Sequence, residues 1–199
     1  MAAARCLARG GFGAVSMQEI ATEVGFTAPA LYMYFESRDA IFEELFLSVR
    51  RGLTVIFEAT PAAARGGPAA SFSRRLTALV RRQLEWMDQQ REVFLALMAL
   101  RMRAQPWSRR NSADEESEPL PMLHLRLLTG WLKIEAKGAD LGGYEPDDAA
   151  TFLLGTMQGF IWRWLKSPVS RQRLSDETDQ ILALFLHGVR GARAALNNS

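Results

Sequence analysis

The sequence predicts an all-α protein of about nine helices with no strands. Three observations predict it. Apolar residues recur at i, i+3, i+4 and i+7 in successive segments. Alanine, leucine and arginine dominate while β-branched residues are sparse. Gly, Pro, Ser and Thr fall where such helices would stop and start. At 199 residues the chain is long enough for two modest helical units with a sizeable core.

The elements follow in order. A first helix begins almost at Met1. Met17, Ile20, Ala21 and Val24 then share one helix face, Ser16 is placed to cap it, and Gly25 supplies the left-handed residue that ends it. Thr27 caps the next helix, and Pro29 falls in its first turn, where a missing N–H costs nothing. Leu31 and Phe35 face back to a small core, leaving Thr27, Ala28, Pro29, Tyr32 and Met33 to look outward. Two short helices joined by a tight turn, with small and polar residues exposed on the second, form a helix-turn-helix reader of the DNA major groove.

Ser37 opens a long helix along Ile41, Leu45, Val49, Leu53 and Phe57, widened by Phe42 and Phe46, which should end near Thr60 before Pro61. Residues 59–70 read as a linker of small residues. Helices are expected over 71–90 and 92–103, then a loop over 105–121 with three prolines and an acidic cluster. A helix to about residue 137 and a glycine turn at 138–143 follow. Pro146 opens a further helix that Pro168 closes, and Ser175 is expected to cap the last one, reaching about residue 195.

Gly11-Phe12, Ser16-Met17, Ile20-Ala21, Gly25-Phe26, Leu31-Tyr32, Tyr34-Phe35 and Ser37-Arg38 together resemble the TetR family of bacterial transcriptional repressors. The resemblance covers roughly the first 50 residues; the remainder carries no signature of comparable strength. It implies a DNA-binding domain over 1–46 and a helical effector-binding and dimerisation domain over 47–199. It also implies that Thr27 and Tyr32 contact phosphates, that Tyr34 and Arg38 flank the backbone, and that Ala28, Pro29 and Met33 face base edges. Ser16 joins this DNA-binding set. A hydroxyl at the rim of a recognition helix suits a phosphate. Ala28 and Met33 suit thymine methyls rather than bidentate hydrogen bonds, so shape readout should weigh more. Tyr34 either touches the backbone or packs.

Charge is an awkward fit to that expectation. Residues 1–51 carry five Arg against six Asp and Glu, a formal charge of −1, although phosphate neutralisation supplies much of DNA affinity. The family resemblance implies a basic segment ahead of the first helix; here that arm is expected to be short or truncated. The basic excess lies over 74–110, with nine Arg against Glu85, Asp88 and Glu92, and reads as a solvated helical face.

Other classes find little support. Cys6 is the only cysteine, so no internal disulfide or thiolate metal site is expected. No signal peptide and no apolar run of membrane-spanning length are recognisable, and a cytoplasmic protein is expected. His124 and His187 lie far apart in helical patterns, and no catalytic triad order, phosphate loop or metal spacing appears. No cofactor is expected.

All five tryptophans, Trp86, Trp107, Trp131, Trp162 and Trp164, lie beyond the reader. Trp86, Phe94, Met98, Trp131 and Trp162 either line a pocket for an apolar organic effector or fill an ordinary core. Glu85 or Asp88 would orient a cationic effector and the nearby arginines a carboxylate, which leaves the sign of charge open. Gly155 and Gly159, four apart on one helix, mark close backbone approach or a tolerated flexible stretch. By the resemblance the last two helices pair with those of a second copy, with Leu182, Phe185 and Val189 contributing. The resulting reading is a homodimeric repressor released from a palindromic operator by a small organic effector. A helical protein-binding adaptor, or more remotely an enzyme, is the alternative.

Overall fold

The computed structural model describes residues 3–6, 15–58, 71–101, 118–137, 141, 143–167 and 173–196, with the side chains of 99–101 and 189–196 outside that description. Among the described residues the secondary structure is helical throughout. The elements are α1 (residues 3–6), α2 (Met17–Val24), α3 (Ala28–Tyr32), α4 (Arg38–Glu58), α5 (Phe72–Gln89), α6 (Arg91–Arg101), α7 (Leu120–Glu135), α8 (Pro146–Lys166) and α9 (Thr178–Leu196). A 3-10 turn over Leu174–Glu177 precedes α9. The linker expected over 59–70, most of the loop at 105–121, and Trp107 with it, lie outside the described residues.

Two compact units form, one of Met1–Arg51 with Gln90–Glu118 and one of Gly52–Gln89 with Pro119–Ser199. In the first unit, Ala4, Met17, Ile20, Ala21, Ile41, Phe42, Leu45 and Val49 make the core. Val24, expected on the same buried face as Met17, is instead 39% exposed, because α2 stops there and the chain turns away. Arg5 ties α1 to α2 through Nε to Glu23 Oε1 at 2.7 Å. The buried Arg50 donates through Nη1 to the Glu118 carbonyl.

The second unit buries Leu76, Leu79, Val80 and Leu84 of α5 with Leu128 and Leu132 of α7, Leu153 and Met157 of α8, and Ile181 and Phe185 of α9. α7 packs on α8 and α8 on α9, while α5 packs on α9 and the 3-10 turn. Ser175 does not cap α9. It sits inside the 3-10 turn, where its Oγ and N–H donate to Asp88 Oδ2 at 2.7 and 3.0 Å and the Leu174 N–H donates to Asp88 Oδ1 at 2.7 Å. Three donors directed at one half-buried carboxylate hold the turn onto α5, a long-range partnership that a local capping rule does not see.

Candidate nucleic-acid interface

The hairpin of α2 and α3 is built by its caps. Ser16 and Glu19 form a reciprocal capping box: the Glu19 N–H donates to Ser16 Oγ at 3.2 Å, and the Ser16 N–H donates to Glu19 Oε2 at 2.6 Å. The Ser16 N–H first, and its Oγ–H second, donate to that carboxylate and hold it below the usual carboxylate range. The far end closes in a Schellman motif. Gly25 sits at φ 73°, its N–H donates to the Thr22 carbonyl, and the Phe26 N–H donates to the Ala21 carbonyl at 2.9 Å. An L side chain at Gly25 would be strained, so the turn angle between the two helices depends on that glycine.

Thr27 then caps α3, accepting from the Ala30 N–H at 3.4 Å. Its hydroxyl hydrogen remains available to donate outward. Leu31 and Phe35 are half-buried, as their inward assignment requires. Thr27, Pro29, Tyr32, Met33 and Tyr34 are exposed, Met33 to 84% and Tyr34 to 78%. Tyr34 therefore does not pack. Ala28 is half-buried and offers only its methyl edge. Phe26, 59% exposed in the turn itself, stands on the same hairpin and was not singled out from the sequence.

Two residues of the expected DNA-contacting set have interior tasks. Ser16 Oγ donates to Glu19 Oε2 at 2.9 Å while accepting from the Glu19 N–H, so its hydroxyl is committed to the cap. Arg38 donates through Nη1 to the Val15 carbonyl at 3.0 Å, stands 3.3 Å from Asp39 Oδ1, and lies over the Phe42 ring at 5.9 Å. It fastens the start of α4 to the start of α2 and thereby fixes the hairpin's orientation within the first unit.

The effector and dimer candidates separate just as clearly. Phe94 and Met98 belong to the first unit and Trp86, Trp131 and Trp162 to the second. Trp86 lies against Gly52, where a Cβ would stand 2.5 Å from Cζ2 of the indole. Trp131 is 7% exposed and stacks at a tilt on Phe72, ring centroids 6.2 Å apart. Trp162 is 44% exposed, with Lys166 Nζ 5.3 Å from its ring centre, so it faces outward from α8 rather than into a pocket. Asp88 is engaged by the 3-10 turn and does not present a free carboxylate to an effector.

Leu182 and Phe185, assigned to a partner-facing surface, point into the chain's own core. Phe185 is fully buried against Phe152, centroids 5.9 Å apart. The seam of α8 and α9 needs that ring, so the inward face of α9 is the one carrying Leu182 and Phe185. Val189 falls among the side chains outside the description. Gly155 and Gly159 are exposed, and a Cβ at either would meet nothing within 4 Å. Close approach within the chain does not account for them.

A helix-turn-helix with an outward second helix thus precedes a helical body in the chain. Residues 1–45 match the model of the bacterial regulatory proteins, tetR family. The fold agrees over nearly the whole chain. It is similar to the TetR family transcriptional regulator PfmR from Thermus thermophilus, with TM-score 0.73 at 20% identity, covering 93% of this chain and 94% of that one. The fatty acid degradation regulator FadR from Bacillus halodurans gives 0.69 at 18%, covering 95% and 93%. The FadR from Bacillus subtilis, in complex with stearoyl-CoA, gives 0.64 at 18%, covering 94% and 96%. No curated protein matches by sequence. The first 45 residues are thus similar to the tetR-family reader, and the helical fold of such regulators extends over nearly the whole chain. No helix among the described residues is long and apolar enough to cross a membrane.

Proposed function

We propose that the protein is a homodimeric repressor that binds a palindromic operator through residues 27–34 and is released by a small organic effector held in the second unit. The observation that carries it is the exposed face of Thr27, Pro29, Tyr32, Met33 and Tyr34 on a hairpin fixed by its caps and a small core. Hydroxyls of Thr27, Tyr32 and Tyr34 suit phosphates and position the hairpin without reading sequence. Met33, with the Ala28 and Pro29 edges, suits thymine methyls.

The partner-facing surface follows the outer stripe of α8. Phe152, Gly155, Gly159 and Trp162 recur at helical spacing and are all exposed, and on α9, which packs on α8, Leu184 is 51% exposed. Glycines open to solvent on an apolar stripe suit close approach of a second copy, and two-fold pairing matches two half-sites. Of the relatives, the Bacillus subtilis FadR takes stearoyl-CoA, and NalD from Pseudomonas aeruginosa is a repressor. They support an organic effector and a repressing role. Among the described residues no group of three or more His, Cys, Asp and Glu could hold a metal ion.

Footprinting on DNA flanking the source gene tests this reading. A protected palindrome, lost when an added organic compound binds, is expected. Binding that ignores sequence, or release controlled by metal ions alone, would overturn it.

A further inference from the structure

In the second unit, α5 and α7 are joined by long side chains. Phe72 meets Trp131, Arg75 Nε stands 2.8 Å from Glu135 Oε2, and His124 Nε2 lies 2.7 Å from Gln83 Oε1. Phe57 at the end of α4 closes edge-on over His124, centroids 5.9 Å apart. Gln83 is fully buried, His124 is 4% exposed and Trp131 is 7% exposed. Two donors in this layer have no acceptor among the described residues: Gln83 Nε2 and Trp131 Nε1. Buried donors are almost always paired, and an unpaired one costs more than a made hydrogen bond returns.

We infer that Gln83 and Trp131 are the hydrogen-bonding contacts of a binding site between α5 and α7 for an uncharged, mainly apolar molecule bearing carbonyl- or ether-type acceptors. The inference rests on the proposed effector role of this unit and names the chemistry of its ligand. Three features point to an uncharged partner. Arg75 and Glu135 neutralise one another at the edge of the layer. The rings of Phe57, Phe72 and Trp131 supply apolar walls. His124 stays neutral, since burial pushes it down to about 4, and a neutral imidazole offers no charge to an anion. Trp131 donates only, so its partner must accept. Positions 124 and 131 lie two turns apart on one face of α7, about 10 Å along the axis, which sets the scale of a molecule touching both ends.

The test uses four probes of matched length: the diketone octane-2,7-dione, octane, octanoate and octylammonium. Dissociation constants come from tryptophan fluorescence and thermal shift, on the full chain and on the Gln83→Met and Trp131→Phe variants. The ketone is expected to bind about tenfold more tightly than octane, and both ions more weakly than the ketone. Each variant removes one of the two donors and should erase about half of the ketone's advantage on a logarithmic scale, while leaving octane affinity unchanged. If one variant fails to fold, as judged by its helical circular dichroism melt, the other decides. Equal binding of ketone and octane, as when the donors are met only by interior water, overturns the proposal. So does a preference undiminished in the folded variant, tightest binding of an ion, or no binding by any probe.

An operator-release arm separates this proposal from the reading beneath it. A compound that releases DNA equally well from the parent and from Gln83→Met sinks the proposal and leaves the effector reading standing. Gln83-dependent binding that leaves DNA affinity untouched does the reverse.

Discussion

His124 should make the protein acid-sensitive by an amount that can be worked out from its surroundings. Burial alone lowers its pKa from 6.5 to about 4, and the groups facing it, Gln83 and Phe57, do not titrate. Below pH 6.5 the unfolded chain takes up a proton at this residue, whereas the folded chain refuses it until about 4. The stability contribution is therefore complete above 6.5 and drains away as the pH falls towards 4. At about 1.4 kcal/mol per pH unit, the loss should reach about 1.4 kcal/mol near pH 5.5 and about 3 kcal/mol near pH 4. That is a large share of the roughly 5–15 kcal/mol that holds a typical domain folded. His124→Gln keeps a donor for Gln83 Oε1 but cannot titrate. Urea unfolding of both proteins across this range gives the comparison, because acid effects on carboxylates such as Glu19 are common to both and cancel. The difference curve should slope only between the two pKa values. Parallel curves would refute the reasoning, and so would a parent that gains stability on acidification.

Three further outcomes are expected. Tyr32→Phe should weaken binding to operator and random duplex by similar factors in a gel-shift titration, whereas Met33→Ala should change the ranking of sites that differ at a thymine. Arg38→Ala should lower reader stability by about 1–3 kcal/mol through the unpaired Val15 carbonyl, with the salt slope of DNA binding unchanged; a slope reduced by about one would restore Arg38 to the phosphate contacts. In sedimentation, Gly159→Arg should yield folded monomers, while Phe185→Ala should cost about 3–5 kcal/mol of stability from its core cavity without selectively dissociating copies.

The local features of the reader are legible from residue types and spacing alone. Ser16, Gly25, Thr27 and Pro29 act through bonds to residues one to five positions away, so their types and spacing suffice to set two helix starts, a left-handed turn and an outward second helix. The same logic placed the start of α4 behind Ser37, whose Oγ accepts from the Ala40 N–H, and the start of α8 at Pro146. Partners distant in sequence emerge only when the chain is folded. Helical periodicity puts Leu182 and Phe185 on a stripe but does not say whether that stripe meets a second copy or the chain's own α8; Phe152, more than thirty residues away, settles it. Nothing near Ser175 in sequence reveals Asp88, and nothing near Arg38 reveals the Val15 carbonyl. Gln83 and His124 were likewise illegible as a pair, because a polar residue on an apolar helix face declares its function only when the atoms that do and do not meet it are known.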